Sequence, residues 1–100
     1  MARIIREKIT GDLEVAGEEV LLQGMVVGNV NVRSNGNMDI RGMVTGDVLV
    51  EKGGTLLLHG MVTGDVTNAG GRLDIFGMVQ GRLHKQSGET HIHKGAVTSA

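Results

Sequence analysis

The sequence predicts an all-β fold: a right-handed parallel β-helix of about five to six triangular rungs, each 17–18 residues long, forming a single domain over residues 1–100. Three observations carry this. The string G-M-V-x-G occurs four times, at Gly24–Gly28, Gly42–Gly46, Gly60–Gly64 and Gly77–Gly81. Between these strings the apolar residues alternate with polar ones, a period of two that marks strands and not helices. Glycine makes up 17 of 100 residues and proline is absent, so the chain punctuates itself with glycine alone. Degenerate copies at Lys8–Gly11 and Gly95–Ser99 extend the series, whose closing position falls at 11, 28, 46, 64, 81 and 99. A fixed step of this kind is the mark of stacked repeats.

Each unit reads as three short strands. The first holds Leu13 and Val15, then Val30 and Val32, Val48 and Val50, Val66, and Leu83. The second holds Val20 and Leu22, Met38 and Ile40, Leu56 and Leu58, Leu73 and Ile75, and Ile92. The third contributes Val26, Val44, Val62, Val79 and Val97. Between the first two strands lie Gly17, Gly36, Gly53–Gly54, Gly70–Gly71 and Gly88, and the 17-residue units lose their residue there, as a turn allows. Three such strands cannot bury an apolar face alone. Stacked units can, with each strand pairing in parallel with its counterpart ~4.8 Å away and like positions forming columns. Leu58 and Val48 should then be among the most buried residues. The glycines at 42, 46, 60, 64, 77 and 81 share the inward parity of the core, which implies corners without room for a side chain or with positive φ. A left-handed hexapeptide helix ranks second, because the aliphatic spacing within a unit is not six throughout. A calcium-binding nonapeptide roll lacks its G-G-x-G-x-D string.

Composition narrows function by exclusion. Ten basic against eleven acidic residues give a formal charge of −1, without the footprint of a nucleic-acid or anionic-membrane binder. Phe76 is the one aromatic residue, so there is no platform for stacking bases. No cysteine is present, which fits a reducing, cytoplasmic setting, and no apolar run suggests a transmembrane segment or a signal peptide.

The tandem V-x-G-D-V at Val44–Val48 and Val62–Val66, with variants at Val26–Val30 and Val79–Leu83, is followed each time by alternating aliphatics and a glycine turn. Over residues 4–98 this resembles the bactofilin family of bacterial cytoskeletal proteins. The resemblance implies a right-handed triangular β-helix that polymerises end to end without nucleotide: a non-enzymatic scaffold. Bactofilins usually carry Pro-rich tails and often a short membrane-binding segment. This chain has no proline, and Met1–Arg6 is short and charged. A second expectation therefore stands beside the first, a small immunity or antitoxin-type protein that neutralises a toxin by occluding its active site. The hexapeptide alternative would lead to a third, a trimeric acyltransferase-like enzyme.

Candidate chemistry is sparse, and the expectation is a protein without catalytic residues, cofactor or metal. Asp12, Asn29, Asp47, Asp65 and Arg82 occupy one repeat position. They are either a cation site or corner residues that bond their own backbone as Asx-turns, and Arg82 favours the latter. His91 and His93 flank Ile92 and point outward together, with His84 across a turn and His59 two rungs away in the His93 column; no third metal ligand is evident. Ser34, Ser87 and Ser99 sit in turns or at the end, without a His–carboxylate pair.

Two surfaces remain. Met25, Met43, Met61 and Met78 each follow a corner glycine, in the opposite parity to the core valines. They form either an exposed partner-binding ladder, continued by Lys8 and Ala96, or a set tucked over the core. The terminal rungs present unpaired strand edges. Lys85 and Thr90 make the last rung more polar, whereas Ile4, Ile5 and Ile9 make the first the more adhesive, so self-association is expected through that end, N to N. The partner is thus a second copy or another protein.

Overall fold

A computed structural model describes residues 2–98, and it is a parallel β-solenoid of about five turns with no helix among those residues. Among the described residues no helix is long and apolar enough to cross a membrane. Three faces wrap one core. Face 1 carries β3 (Leu13–Val15), β6 (Val30–Val32), β9 (Val48–Glu51) and the first halves of β12 (Val66–Ile75) and β14 (Leu83–Ile92). Face 2 carries β1 (Ala2–Ile5), β4 (Glu19–Leu22), β7 (Asn37–Ile40), β10 (Thr55–Leu58) and the second halves of β12 and β14. Face 3 carries β2 (Lys8–Thr10), β5 (Met25–Val27), β8 (Met43–Val44), β11 (Met61–Val62) and β13 (Met78–Val79). Every pairing among the described strands is parallel, and apart from shifts around Asn68–Arg72 it keeps the register of the repeat: Leu22 beside Ile40, Ile40 beside Leu58, Leu58 beside Ile75.

The inward columns are the core. Leu58 and Val48 are fully buried, as are Ile40, Ile75, Val30 and Val66 stacked on them. At ~25 cal/mol per Å² of apolar surface, such columns supply most of the stabilisation of a chain with one aromatic residue. The columns end differently from the expectation. Ile92 keeps its register beside Ile75 but is 45% exposed, because no rung among the described residues lies beyond it. Val97 bridges Met78 and is 53% exposed, while Ala96 packs against the core. The chain from Lys94 to Ala96 takes a looser corner, tied by the Ala96 amide to the His93 carbonyl, and this shifts the register by one. Val97 is therefore an outward residue that continues the Met column, and Ala96 takes the inward place. Ser99 lies outside the described residues.

In the last two turns the expected break between first and second strand is a bend within one continuous strand. Asn68 causes this. It occupies an inward position, fully buried, and its Oδ1 accepts from the Gly70 and Gly71 amides while Nδ2 donates to the Glu89 carbonyl and Thr90 Oγ1. A buried amide with both ends satisfied serves here as an internal brace.

The corner glycines are explained by space and not by dihedral angle. None of Gly42, Gly46, Gly60, Gly64, Gly77 or Gly81 has positive φ. A Cβ on Gly60 would overlap the Gly42 carbonyl oxygen of the rung before, and a Cβ on Gly77 the Gly60 oxygen.

Candidate interaction surfaces

Among the described residues no group of three or more His, Asp or Glu side chains is placed to hold a metal ion. What these residues offer is ordered columns of surface side chains, each set by the repeat register.

The Met column is continuous. Lys8 pairs with Met25, Met25 with Met43, Met43 with Met61, Met61 with Met78, and Met78 with Val97. The side chains are half-buried on the outer side of face 3, Met78 reaching 37% exposure, and the valine following each Met fills the core. Alternation therefore survives the corner, and the Met residues are an outward apolar stripe.

The acidic column is a latch between rungs. Oδ1 of Asp12 accepts from the Asn29 amide at 3.0 Å, Asn29 Oδ1 from Asp47 at 2.9 Å, Asp47 Oδ1 from Asp65 at 2.8 Å, and Asp65 Oδ1 from Arg82 at 2.8 Å. The Asx-turn expectation is corrected by this geometry, since each side chain bonds the backbone of the next turn and not its own. Asn serves as well as Asp, because only an acceptor oxygen is needed, and Arg82 takes the last position because it need only donate its amide. The Arg82 amide holds the Asp65 carboxyl below the ordinary value of 3.8 against a small opposing cost of burial, and the charges of His84 and Arg82 add to the effect.

Face 2 carries a feature that period-two reading missed. His59, Phe76 and His93 fall in one column and stack almost coplanar, with ring centroids 4.5 and 4.0 Å apart and interplanar angles of 6° and 7°. An aspartate one rung back holds each imidazole: Asp39 Oδ1 to His59 Nδ1 at 2.8 Å and Asp74 Oδ1 to His93 Nε2 at 3.0 Å. Arg41 and Arg72 reach the other oxygens of the same aspartates, at 3.3 and 3.1 Å. Asp74 is 4% exposed. Burial pushes its pKa up, but hydrogen bonds from His93 and Arg72, with the charges of Arg72 and His91, outweigh that and leave the carboxyl below its ordinary range. The signal available in sequence was the spacing of 17 between His59, Phe76 and His93. His91 turns instead to Glu89 at 3.5 Å, with its ring 6.5 Å from that of His93.

The first rung separates its three isoleucines. Ile5 is 3% exposed and stacks on Leu22 in the core; Ile9 is partly buried against it; Ile4 points outward on face 2, 48% exposed. Arg3 stands at the head of the inward column of Val20, Met38 and Leu56, and its guanidinium pairs with Glu18 at 3.5 Å. At the other end Lys85 stands in the inward column after Asn68 and is exposed.

No family model, curated protein or solved structure matches the chain.

Proposed function

We propose that the chain is a non-enzymatic, bactofilin-like scaffold of the cytoplasm that assembles end to end. One observation supports this reading: parallel pairing continues from the first rung to the last, with register shifts only around Asn68–Arg72 and at the corner before Val97, and among the described residues nothing pairs with the outer edges of β1, β2, β3 or β14. Each edge is a row of free N–H and C=O groups, a template for a further strand. Half-exposed Ile92 offers an apolar contact at the C-terminal edge. The test is sedimentation velocity over a wide concentration range. Wild-type chain should form a concentration-dependent series of large species, and Ile92→Lys, a change at an exposed edge position, should shorten the series while the strand circular dichroism stays intact. A series unaffected by Ile92→Lys removes the C-terminal edge from the contact, and a wild-type chain without large species removes the scaffold reading.

One observation favours the second reading, a discrete binding protein of the immunity or antitoxin type. Arg3 and Lys85 place charges in inward columns on the two terminal rungs. Inward charge on an edge strand is a known guard against edge-to-edge pairing. A chain that stays small at every concentration yet forms a stoichiometric complex with a protein partner would support this reading over the scaffold.

A further inference from the structure

We infer that two copies of this chain pair side by side through face 3, their solenoid axes parallel and related by a two-fold axis running along them. The inference stands apart from end-to-end assembly and holds for either reading above.

Face 3 presents two outward columns. One is Met25, Met43, Met61, Met78 and Val97; the other is Thr10, Val27, Thr45, Thr63 and Gln80. No charged residue stands in either between Thr10 and Val97. The threonine hydroxyls are turned to the backbone, Thr63 Oγ1 donating to the Thr45 carbonyl at 2.7 Å and Thr45 Oγ1 to Val26 at 3.4 Å. The two columns are bordered by glycines, at 24, 42, 60 and 77 on the side where the chain enters the face and at 28, 46, 64 and 81 where it leaves. No side chain rises on these shoulders in those four rungs, Glu7 taking the entry place in the first, so another sheet can approach there to the ~10 Å spacing of face-to-face packing.

The residues just outside the shoulders select the arrangement. On the entry side stand Arg6, Gln23, Arg41, His59 and Phe76; on the exit side, in the same rungs, Asp12, Asn29, Asp47, Asp65 and Arg82. A two-fold along the solenoid axis brings the entry side of one copy to the exit side of the other at equal height. The juxtapositions are then Arg6 with Asp12, Gln23 with Asn29, Arg41 with Asp47, His59 with Asp65 and Phe76 with Arg82. Four are complementary: cation with carboxylate at Arg6–Asp12 and Arg41–Asp47, amide with amide at Gln23–Asn29, and an imidazole with a carboxylate at His59–Asp65; the Phe76 ring has both faces covered by His59 and His93, so its juxtaposition with Arg82 adds nothing. The second oxygens of Asp12 and Asp47 have no partner among the described residues, so the rung latch leaves them available. The same operation sets the large Met column of each copy against the smaller Thr and Val column of the other, as interdigitation requires. A two-fold perpendicular to the axis does the opposite, placing Met on Met and basic column on basic column.

Five residues of width at ~3.3 Å and six rungs at ~4.8 Å give a face of about 450 Å² per copy, against ~800 Å² for a standard stable interface. The dimer is thus weak, reversible and sensitive to salt.

The test uses the absence of cysteine from the chain. Gln80→Cys, treated with a short bismaleimide at several hundred micromolar, should give a cross-linked dimer. Under the parallel two-fold residue 80 lies at the same height as its own counterpart, across a gap of ~10 Å and displaced by about two residues, ~7 Å, along the face, within reach of such a linker; it is several rungs away in a perpendicular two-fold and in any end-to-end contact. Arg41→Glu on the same background, a change at an exposed position, should reduce the yield about tenfold at low salt by setting Glu against Asp47. Adding Asp47→Asn, which keeps the latch oxygen, should restore part of it. Absence of a Gln80→Cys cross-link, or a yield unmoved by Arg41→Glu, overturns the inference. Large species that survive in the uncross-linked protein would leave the scaffold reading standing alone.

Discussion

Replacing Gly60 by Ala adds one methyl group at the place where successive rungs come closest. The new Cβ would overlap the Gly42 carbonyl oxygen and come within 2.9 Å of the carbonyl carbons of Arg41 and Gly42, where ordinary contact begins at 3.4 Å. That oxygen is not free to retreat, because it accepts from the Met61 amide at 3.1 Å, and the Gly60 oxygen in turn accepts from Met78 at 3.0 Å. Relief requires opening the rung spacing at this corner and losing at least the first bond. A lost bond with a group left unsatisfied costs ~1–3 kcal/mol, and the strain of overpacking a further ~1–3 kcal/mol. The total, about 3–5 kcal/mol, is a large share of the ~5–15 kcal/mol that holds a domain of this size. At ~4–8 °C per kcal/mol, the melting temperature should fall by ~12–40 °C. The assay is thermal unfolding followed by circular dichroism. Gly17→Ala is the control: φ is +63° there but the space is open, so the cost is only the ~1–2 kcal/mol of a left-handed residue. A Gly60→Ala melting temperature within a few degrees of wild type, or a smaller loss than Gly17→Ala, would refute the argument that backbone approach dictates these glycines.

Leu58→Ala, at the centre of a column with no exposed neighbour on either side, should cost ~2–5 kcal/mol by urea titration with no gain of helix. Asp47→Ala should cost about 1 kcal/mol by leaving the Asp65 amide without its acceptor, whereas Asp47→Asn should be close to neutral, both read from the urea midpoint. Ile5→Arg, at a 3% exposed position, should lower stability by several kcal/mol, while Ile4→Arg one residue earlier should leave it within ~0.5 kcal/mol. Because the Asp74 carboxyl is depressed in the folded chain, its stabilisation is complete above the ordinary value of 3.8 and is lost as pH falls through the lower folded value. Asp74→Asn should therefore be the less stable chain near neutrality, and the difference should shrink in urea titrations run at successively lower pH.

The columns were legible because parity and a fixed step place every inward residue at once. Leu22, Ile40, Leu58 and Ile75 need no further information to be stacked. What escaped depends on directions the period does not encode. The side chains of Asp12, Asn29, Asp47 and Asp65 run along the solenoid axis to the next rung, and alternation speaks only of in and out. The His59–Phe76–His93 stack joins residues that alternation merely calls exposed, and its aspartates sit diagonally one rung back. Val97 left its expected place because the corner at Lys94–Ala96 breaks the hydrogen-bond pattern that keeps the earlier copies in step. The Asn68 brace escaped because parity does not say that an inward amide will bond the Gly70 and Gly71 amides. The Met stripe lay between, since its outward parity was visible and the corner's effect on it was not.

The central claim, that this solenoid works by stacking end to end, is tested most directly by fibre diffraction and electron microscopy of concentrated chain. Strands perpendicular to a filament axis should give a ~4.8 Å meridional reflection, and each molecule should add roughly 24–29 Å along the filament, the height of five to six rungs. Particles no larger than a dimer at every concentration, with no meridional reflection, would contradict it.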